Sequence, residues 1–468
     1  MSKSLVCAAV LSLALCESSS AQSDLFIATS DFSTGSTARL SAGNTEADKN
    51  LFTIHSDAKV HYHNGKIYIV NRLGQDNIVV LNENDLQAPS VQFSVGNGTN
   101  PHDIEIVAPD KAYITRYGTA DLMVVNPETG AELRRIDLSV FADADGLPEV
   151  SQIVRIGDFL YLSCQRLDRS NGWAPVDTSY LIVVDIDRDV LVDADPSQEG
   201  LQGIALSASN PNSVVVAGER IAVAVVSTFG DLAGGIDLID PTTRQSLGLA
   251  ISEEDLGGNI TNLAMANRDE GYAVITDASF TNLVVPVNIA TGLVGSPLQG
   301  LSGGYIASIA IDGNRLIVGD RGSATAPDDI GLKIFDTRTG DFLVGPISTG
   351  LPPNSIAVLS KTTVPTAVAE TNEALPIQFA LARPYPNPFN ASVLVPFQVD
   401  RHARVELKVY DTLGRQVRTL VDHVLGNGQH ARAWDGRNSA GQLVGNGTYF
   451  VRLRVGLEQQ MTKVMLLK

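Results

Sequence analysis

A four-strand pattern recurs through most of the first 360 residues, and it constrains the fold more than any other feature of this chain. Each copy has a short apolar strand, a turn, a second strand often containing Tyr, a polar loop, a third strand, a hairpin with TG or an equivalent, and a fourth strand. Examples are IYIVNRLGQDNIVVLN from Ile67, AYITRYGTADLMVVNPETG from Ala112, LYLSCQR from Leu160, RIAVAVVSTFGDLAGGIDLIDPTTR from Arg220 and YAVITDASFTNLVVPVNIATG from Tyr272. A further copy runs from RLIVGDRG at Arg315 to LKIFDTRTG at Leu332. The first strands start near Asp57, Asp103, Ser151, Ser213, Thr261, Ala307 and Ser355. Most are spaced by roughly 46–48 residues, the period of propeller blades. The longer step from Ser151 to Ser213 places an insertion in blade 3 or in the turn into blade 4.

The two ends of the repeat region complement each other. LFIATS from Leu25, STARLSA from Ser36 and NLFTIH from Asn50 read as strands two to four of a blade lacking its first. NSIAVL from Asn354 reads as a first strand lacking the other three. Joined, they make a seventh blade and close the ring, which removes exposed sheet edges. YIVN at Tyr68, VGNGTNPHDIEI from Val95 and STGLPPNSIAVL from Ser348 carry a resemblance to the YVTN family of β-propellers. That resemblance speaks to fold rather than chemistry, because propellers host many functions.

The chain opens with Lys3 and an apolar run from Leu5 to Leu15, too short to span a bilayer. Small residues at Ser19 and Ala21 place signal cleavage after Ala21, so residues 1–21 read as a signal peptide. A lipoprotein alternative at Cys16 is disfavoured by Leu15, where small residues are required. No other run reaches transmembrane length. Cys7 and Cys16 leave with that peptide, and Cys164 in FLYLSCQ is then a small core hydrophobe without a base beside it.

Charge is lopsided. Of 34 Lys+Arg and 52 Asp+Glu, residues 384–468 hold 11 and 6, which leaves the remainder with 23 and 46. An acidic body argues against nucleic acid and anionic membrane as partners.

Residues 22–360 form the expected propeller, and 361–383, rich in Thr, Pro, Ala and Glu, the expected linker. From 384 to 468 the sequence alternates apolar and polar in ASVLVPFQV, VELKVY, HARAWDG, TYFVRLRV and TKVMLLK, the pattern of a small antiparallel sandwich. Trp434 belongs to its core, and Asp435-Gly436 and Asn446-Gly447 read as hairpin turns. The fold class is therefore all-β: a seven-bladed β-propeller plus a C-terminal Ig-like β-sandwich.

YPNPFN (Tyr385, Pro386, Asn387, Pro388, Phe389, Asn390) is followed by DTLGRQV with Gly414. Next comes WDGRNSAGQLVGNGTYF, with Trp434, Asp435, Gly436, Gly447 and Tyr449, and the chain closes on KVMLLK from Lys463 to Lys468. In this order the motifs resemble the type A sorting domain of the type IX secretion system. The resemblance implies export to the medium or the outer-membrane surface, with the translocon and its sorting peptidase as partners.

Propeller geometry gathers the loops before strand one and after strand two on one rim. His55, Asp57, His102, Asp103, Gln152 and Asn262 fall in the first set. Arg72, Arg116, Arg166 and Arg321, each ending a second strand, fall in the second. Guanidinium forks suit carboxylate, sulfate or phosphate, so these four with His102, Asp103 and Trp173 form a candidate site for an anionic glycan or carboxylate. The alternative is that each Arg pairs with a neighbouring Asp and staples blades.

His55, Asp57, His102 and Asp103 form a candidate metal set. His61 and His63 share a strand face, though no spacing here makes a strong metal motif. The acidic stretches ending at Gly146 (Asp143, Asp145) and running from Asp185 to Asp195 are candidate calcium loops, against a reading as solvated turns. Trp173, in RLDRSNGWAPVDTS, is a lid, a sugar platform, or packing for its own loop. No nucleophile–base–orienter set is readable. A surface binding module is the leading reading, with a lactonase-like or metal-dependent propeller enzyme as the alternative.

Overall fold

A computed structural model describes residues 22–176 and 178–359. Within 380–467 it describes all residues but 382, 383, 385, 386, 388, 391, 400–402, 412–414, 426, 427, 456 and 457. The expected signal peptide, almost all of the expected linker, and Tyr385, Pro386, Pro388, Gly414 and Lys468 lie outside the described residues. The chain divides into two compact units between Thr363 and Val364.

The first unit is a ring of seven antiparallel blades. Their inner strands are Ala58–His63, Pro101–Ala108, Val150–Ile156, Pro211–Ala217, Asn259–Met265, Ile306–Asp312 and Pro353–Leu359 for blades 1 to 7. Each strand start expected from the repeat lies within about two residues of an observed inner strand. Blade 7 joins the two ends of the repeat region. Asp24–Ser30 pairs with Pro353–Leu359, and Gly35–Leu40 and Thr53–Ile54 complete the sheet. The insertion lies in blade 3. It comprises a small hairpin, Leu167–Asp168 with Ala174–Pro175, and a short fifth strand, Ile204–Ala205, against Tyr180–Asp185.

The core consists of seven clusters, each sewn between two successive blades. In blade 1, Tyr68 and Val70 pack toward Ile104 and Ile114 of blade 2, while Ile67 and Ile69 pack toward Phe26 and Ala357 of blade 7. A strand buried on both faces must be apolar at every position, which is why IYIV lacks alternation. The inner strands would leave one unpaired edge each. Side chains from the preceding blade cap them: Ser355 Oγ accepts from Val60 N, Asp103 Oδ2 from Ile153 N and Gln152 Oε1 from Val214 N. Six of the seven inner strands also break register near their first residues, blade 1 being the exception. Such bulges re-aim the residue at the start of the strand.

The second unit is an Ig-like sandwich. One sheet holds Val393–Val399 between Ala380–Leu381 and Gly428–Trp434. The other orders Gln416–Leu425, Ala403–Tyr410, Gly447–Val455 and Glu458–Leu466. Trp434 is buried between Phe389 and Tyr449, with ring centroids at 5.4 and 5.0 Å, and its Nε1 donates to Arg437 O at 2.9 Å. Asp435-Gly436 and Asn446-Gly447 are not hairpin tips. They flank a longer loop whose turn lies at Asn438–Gln442, where the Asn438 side chain accepts from Ala440 N and Gln442 N. Asn387 holds the last strand on both sides, donating to Lys463 O at 3.0 Å and accepting from Met465 N at 2.8 Å.

Candidate binding face

The rim that carries the starts of the inner strands also carries the loops after the second strands. His102 sits at a bulge of blade 2 on this rim. Arg72 donates to His102 Nε2 at 2.9 Å, so the ring proton resides on Nδ1, which donates to Ser151 Oγ at 2.9 Å. The ring stacks on Tyr117 at 4.2 Å and 9°, and the Tyr117 hydroxyl donates to Gln165 at 2.7 Å. Burial, then the Arg72 charge, holds His102 well below the usual imidazole range. The direction of the Nδ1–H bond decides the chemistry. Ser151 receives a proton donor rather than facing a base, so the pair is not an activated nucleophile.

Asp103 is equally engaged. Its Oδ1 accepts from Ile104 N and lies 3.0 Å from His61 Nε2, and its Oδ2 accepts from Ile153 N. Asp57 pairs with Arg72 at 3.4 Å, and His55 Nδ1 accepts from Asp57 N at 3.2 Å. The candidate metal set of His55, Asp57, His102 and Asp103 therefore does not converge on one point among the described residues. His55 Nδ1, Asp57 Oδ2, both His102 nitrogens and both Asp103 oxygens already serve the turn or the blade junction where they lie.

The four arginines staple the fold rather than form a free cationic ring. Arg116 is 1% exposed, donates to Val95 O at 2.9 Å and pairs with Asp121. Burial, then Arg135, pushes its guanidinium down to about 10. Arg321 donates to Ser30 O at 2.8 Å and Pro353 O at 3.2 Å, clasping the first and last strands of the repeat region in blade 7, and covers the Phe32 ring at 4.1 Å. Arg166 donates to Thr178 O at 2.9 Å and lies over Tyr180. Desolvated guanidinium groups need acceptors; carbonyls at a blade junction serve Arg116 and Arg321, a carbonyl of its own blade serves Arg166, and His102 with Asp57 serves Arg72.

The calcium loops are similarly occupied. Asp143, Asp145 and Glu149 bring carboxylate oxygens within 4.8 Å of one another, but Arg169 Nε lies 3.5 Å from Asp145 and 3.1 Å from Glu149. The guanidinium already supplies the positive charge of that cluster. Burial still outweighs it at Glu149 and pushes that carboxyl up to about 7. Between 185 and 195, Asp185, Asp193 and Asp195 cap turns and Asp189 pairs with Lys111.

Lys59 and Glu105, neither in a candidate set, both lie on inner strands. Burial pushes the Lys59 amine down, aided by Arg72 and opposed by Asp57 and Asp103. Burial and Asp103, against Arg155, push Glu105 up to about 8. Charged inner-strand side chains thus crowd blades 1 to 3, where Lys59, Asp103, Glu105 and Arg155 lie. The inner strands of blades 4 and 5, PNSVVVA and NITNLAM, carry none. Cys164 is buried, donates to Pro148 O and has its thiol pushed up by burial, an inert core group.

A cleft of about 1240 Å³ opens between blades 5 and 6, lined by residues such as Glu270, Tyr272, Pro286 and Phe342. It lies at the loops opposite this rim and contains none of the candidate residues. It exists because the outer strand of blade 5, Leu293–Val294, is two residues long and leaves the flank of blade 6 uncovered.

The FlgD Ig-like domain family matches residues 390–456. No curated protein matches the chain. Among solved structures, the chain is similar to PorZ of Porphyromonas gingivalis, described as an essential surface component of the type IX secretion system. Identity is 13% and the TM-score 0.45, over 93% of this chain and 63% of that one, so the chain spans less than two thirds of that relative's length. A 6-phosphogluconolactonase-like protein of Bacteroides fragilis aligns at 13% identity and TM-score 0.49, over 72% of this chain and 97% of that one. BamB of Moraxella catarrhalis aligns at 12% and 0.39, over 63% and 81%. No helix among the described residues is long and apolar enough to cross a membrane.

Proposed function

We propose that this chain is an extracellular binding propeller, exported by type IX secretion and displayed or released through its C-terminal domain, whose ligand face is the rim described above. One observation carries the binding reading. His102, Asp103, Asp57 and Ser151 all hold blade-to-blade or turn contacts, so the channel mouth is a rigid frame and the loops around it are left to meet a ligand. The enzyme reading would need a group at that mouth free to move a proton, and His102 has both nitrogens bonded.

The export reading rests on the order of the tail motifs. It is supported by the way Asn387 and Phe389 of YPNPFN clasp the closing strand: Phe389 N donates to Met465 O and Leu467 N to Phe389 O. The first and last motifs thus form one local surface that a sorting machinery would read together. The partners are the translocon and its sorting peptidase. A version ending near Leu381 tests this in a type IX-competent host. The propeller is expected to fold and stay in the periplasm, and normal secretion of that truncation would overturn the export reading.

A further inference from the structure

The propeller exposes six aromatic side chains, and five of them, Phe32, Trp173, Phe229, Phe280 and Tyr305, are on this same rim. The sixth, Phe342, is on an outer strand. Exposed apolar groups scattered singly need no explanation, but a ring of them on one face does. Four rim tips share a second peculiarity. Phe32, Leu73, Trp173 and Phe280 have φ of 70°, 45°, 64° and 60°. Bulky residues seldom adopt this left-handed conformation, and it recurs at functional surfaces. The four come from blades 7, 1, 3 and 5 and occupy the same topological loop, after the second strand. Gly or Asn would fit the backbone better there, so the side chain outweighs the backbone preference.

The local chemistry shows how each tip is raised. In DFST, Asp31 Oδ1 accepts from Ser33 N and Thr34 N. In DASF, Asp277 Oδ1 accepts from Ser279 N and Thr281 N. Each carboxylate ties down its loop and lifts the adjacent Phe outward. In TFGD, Phe229 sits beside exposed Asp231, and Phe229 and Phe280 of adjoining blades stack at 6.3 Å and 16° while 51% and 76% exposed. Backbone donors hold the Asp31 carboxyl below its usual range, so it is charged at neutral pH.

Phe32, Phe229 and Phe280 thus each lie within three residues of a carboxylate, while Arg72, Arg116, Arg166, Arg169 and Arg321 all have inward partners. This charge pattern reverses the anionic-ligand expectation for the same face. We infer that the rim docks a protein partner whose surface offers apolar side chains bordered by lysine and arginine. The inference rests on the rim being the binding face. Large aromatic anchors with a polar surround are the composition of protein interface hot spots. Tips raised on separate blades around a ring fit a broad protein surface better than a glycan chain lying in a groove. A second copy's propeller is opposed by like charge, since the chain outside residues 384–468 holds 46 acidic residues against 23 basic.

The test uses the full chain with fluorescent 12-residue amphipathic peptides of Leu, Phe and Lys, the same peptides with Glu for Lys, and cellohexaose, chitohexaose and oligogalacturonate. The Lys peptides are expected to bind at least tenfold more tightly than the Glu set, weakening with salt. Phe229→Ser with Phe280→Ser should lose at least tenfold, and Phe342→Ser should change nothing. Phe280→Gly separates binding from folding: relief of the positive φ should leave the thermal midpoint equal or higher while binding falls. Equal retention of both peptide sets, no retention, selection of any glycan, or variants that bind as the parent would each overturn the inference. Failed export of the chain would remove the proposed display and leave this result standing.

Discussion

Replacing Arg116 with Met separates a staple from a ligand-binding group. The guanidinium is 1% exposed and holds two partners, Val95 O at the exit of blade 1 and Asp121 in blade 2. Met keeps much of the stem volume and removes the charge. Val95 is fully buried, and leaving its carbonyl without a donor costs about 1–3 kcal/mol. Asp121 is less exposed to loss, because Arg135 Nη1 already lies 3.7 Å away and can neutralise it. Loss of the buried pair alone would cost about 3–5 kcal/mol in an enclosed site, and the second arginine reduces that figure. The expected net destabilisation is about 2–4 kcal/mol. Urea unfolding of the full chain followed by Trp173 fluorescence in a Trp434→Phe background reads the propeller transition. Arg116→Lys, which keeps charge but loses the fork, should fall between parent and Met. A propeller transition within about 0.5 kcal/mol of the parent would refute the staple, since surface substitutions fall in that range.

Deleting residues 354–360 removes the inner strand of blade 7 and the Ser355 and Asn354 caps on blade 1, so the propeller should lose its cooperative melt; a calorimetric peak like the parent's would contradict the closure. Glu105, raised to about 8 from 4.5, favours its protonated form in the fold, so its stabilising contribution is full below pH 4.5 and is lost as pH rises through 8. Glu105→Gln should therefore gain on the parent between pH 5 and 9, by about 2–4 kcal/mol once channel water is allowed for, as read by denaturation midpoints across that range. Trp434→Ala should cost the tail domain about 3–5 kcal/mol and leave the propeller transition in place, a pattern that two-transition calorimetry would show.

The blades were legible because a sheet buried on both faces leaves a continuous apolar signature: IYIV, AYIT and LYLS each announce a second strand. The closure was legible because three orphan strands at one end matched one at the other. The arginines were located correctly at the ends of second strands, but their role was not legible. A residue ending a second strand lies against the turn into the next blade. Whether it points outward or back to a carbonyl depends on blade twist, which the sequence does not spell out. Arg321 shows this most clearly, since its acceptors Ser30 and Pro353 are separated from it by 291 and 32 positions.

The rim aromatics were hidden for a different reason. Phe32, Phe229 and Phe280 read as ordinary loop residues until the fold puts all three on one rim, with Phe229 and Phe280 stacked, and the positive φ of Phe32 and Phe280 has no sequence marker. DFST, TFGD and DASF do share a usable signal, an aromatic within three residues of an Asp in the loop after a second strand. Once the strands are known, that signal places apolar tips and carboxylates on the same rim of blades 7, 4 and 5. The ring then gathers a weak local pattern on one rim, where the arginines have inward partners and Asp31 and Asp231 are exposed. A propeller built this way separates the two tasks of its polar residues. Those at the blade junctions fix the frame, and those in the rim loops, such as Asp31 and Asp277, shape the turns that carry the exposed tips.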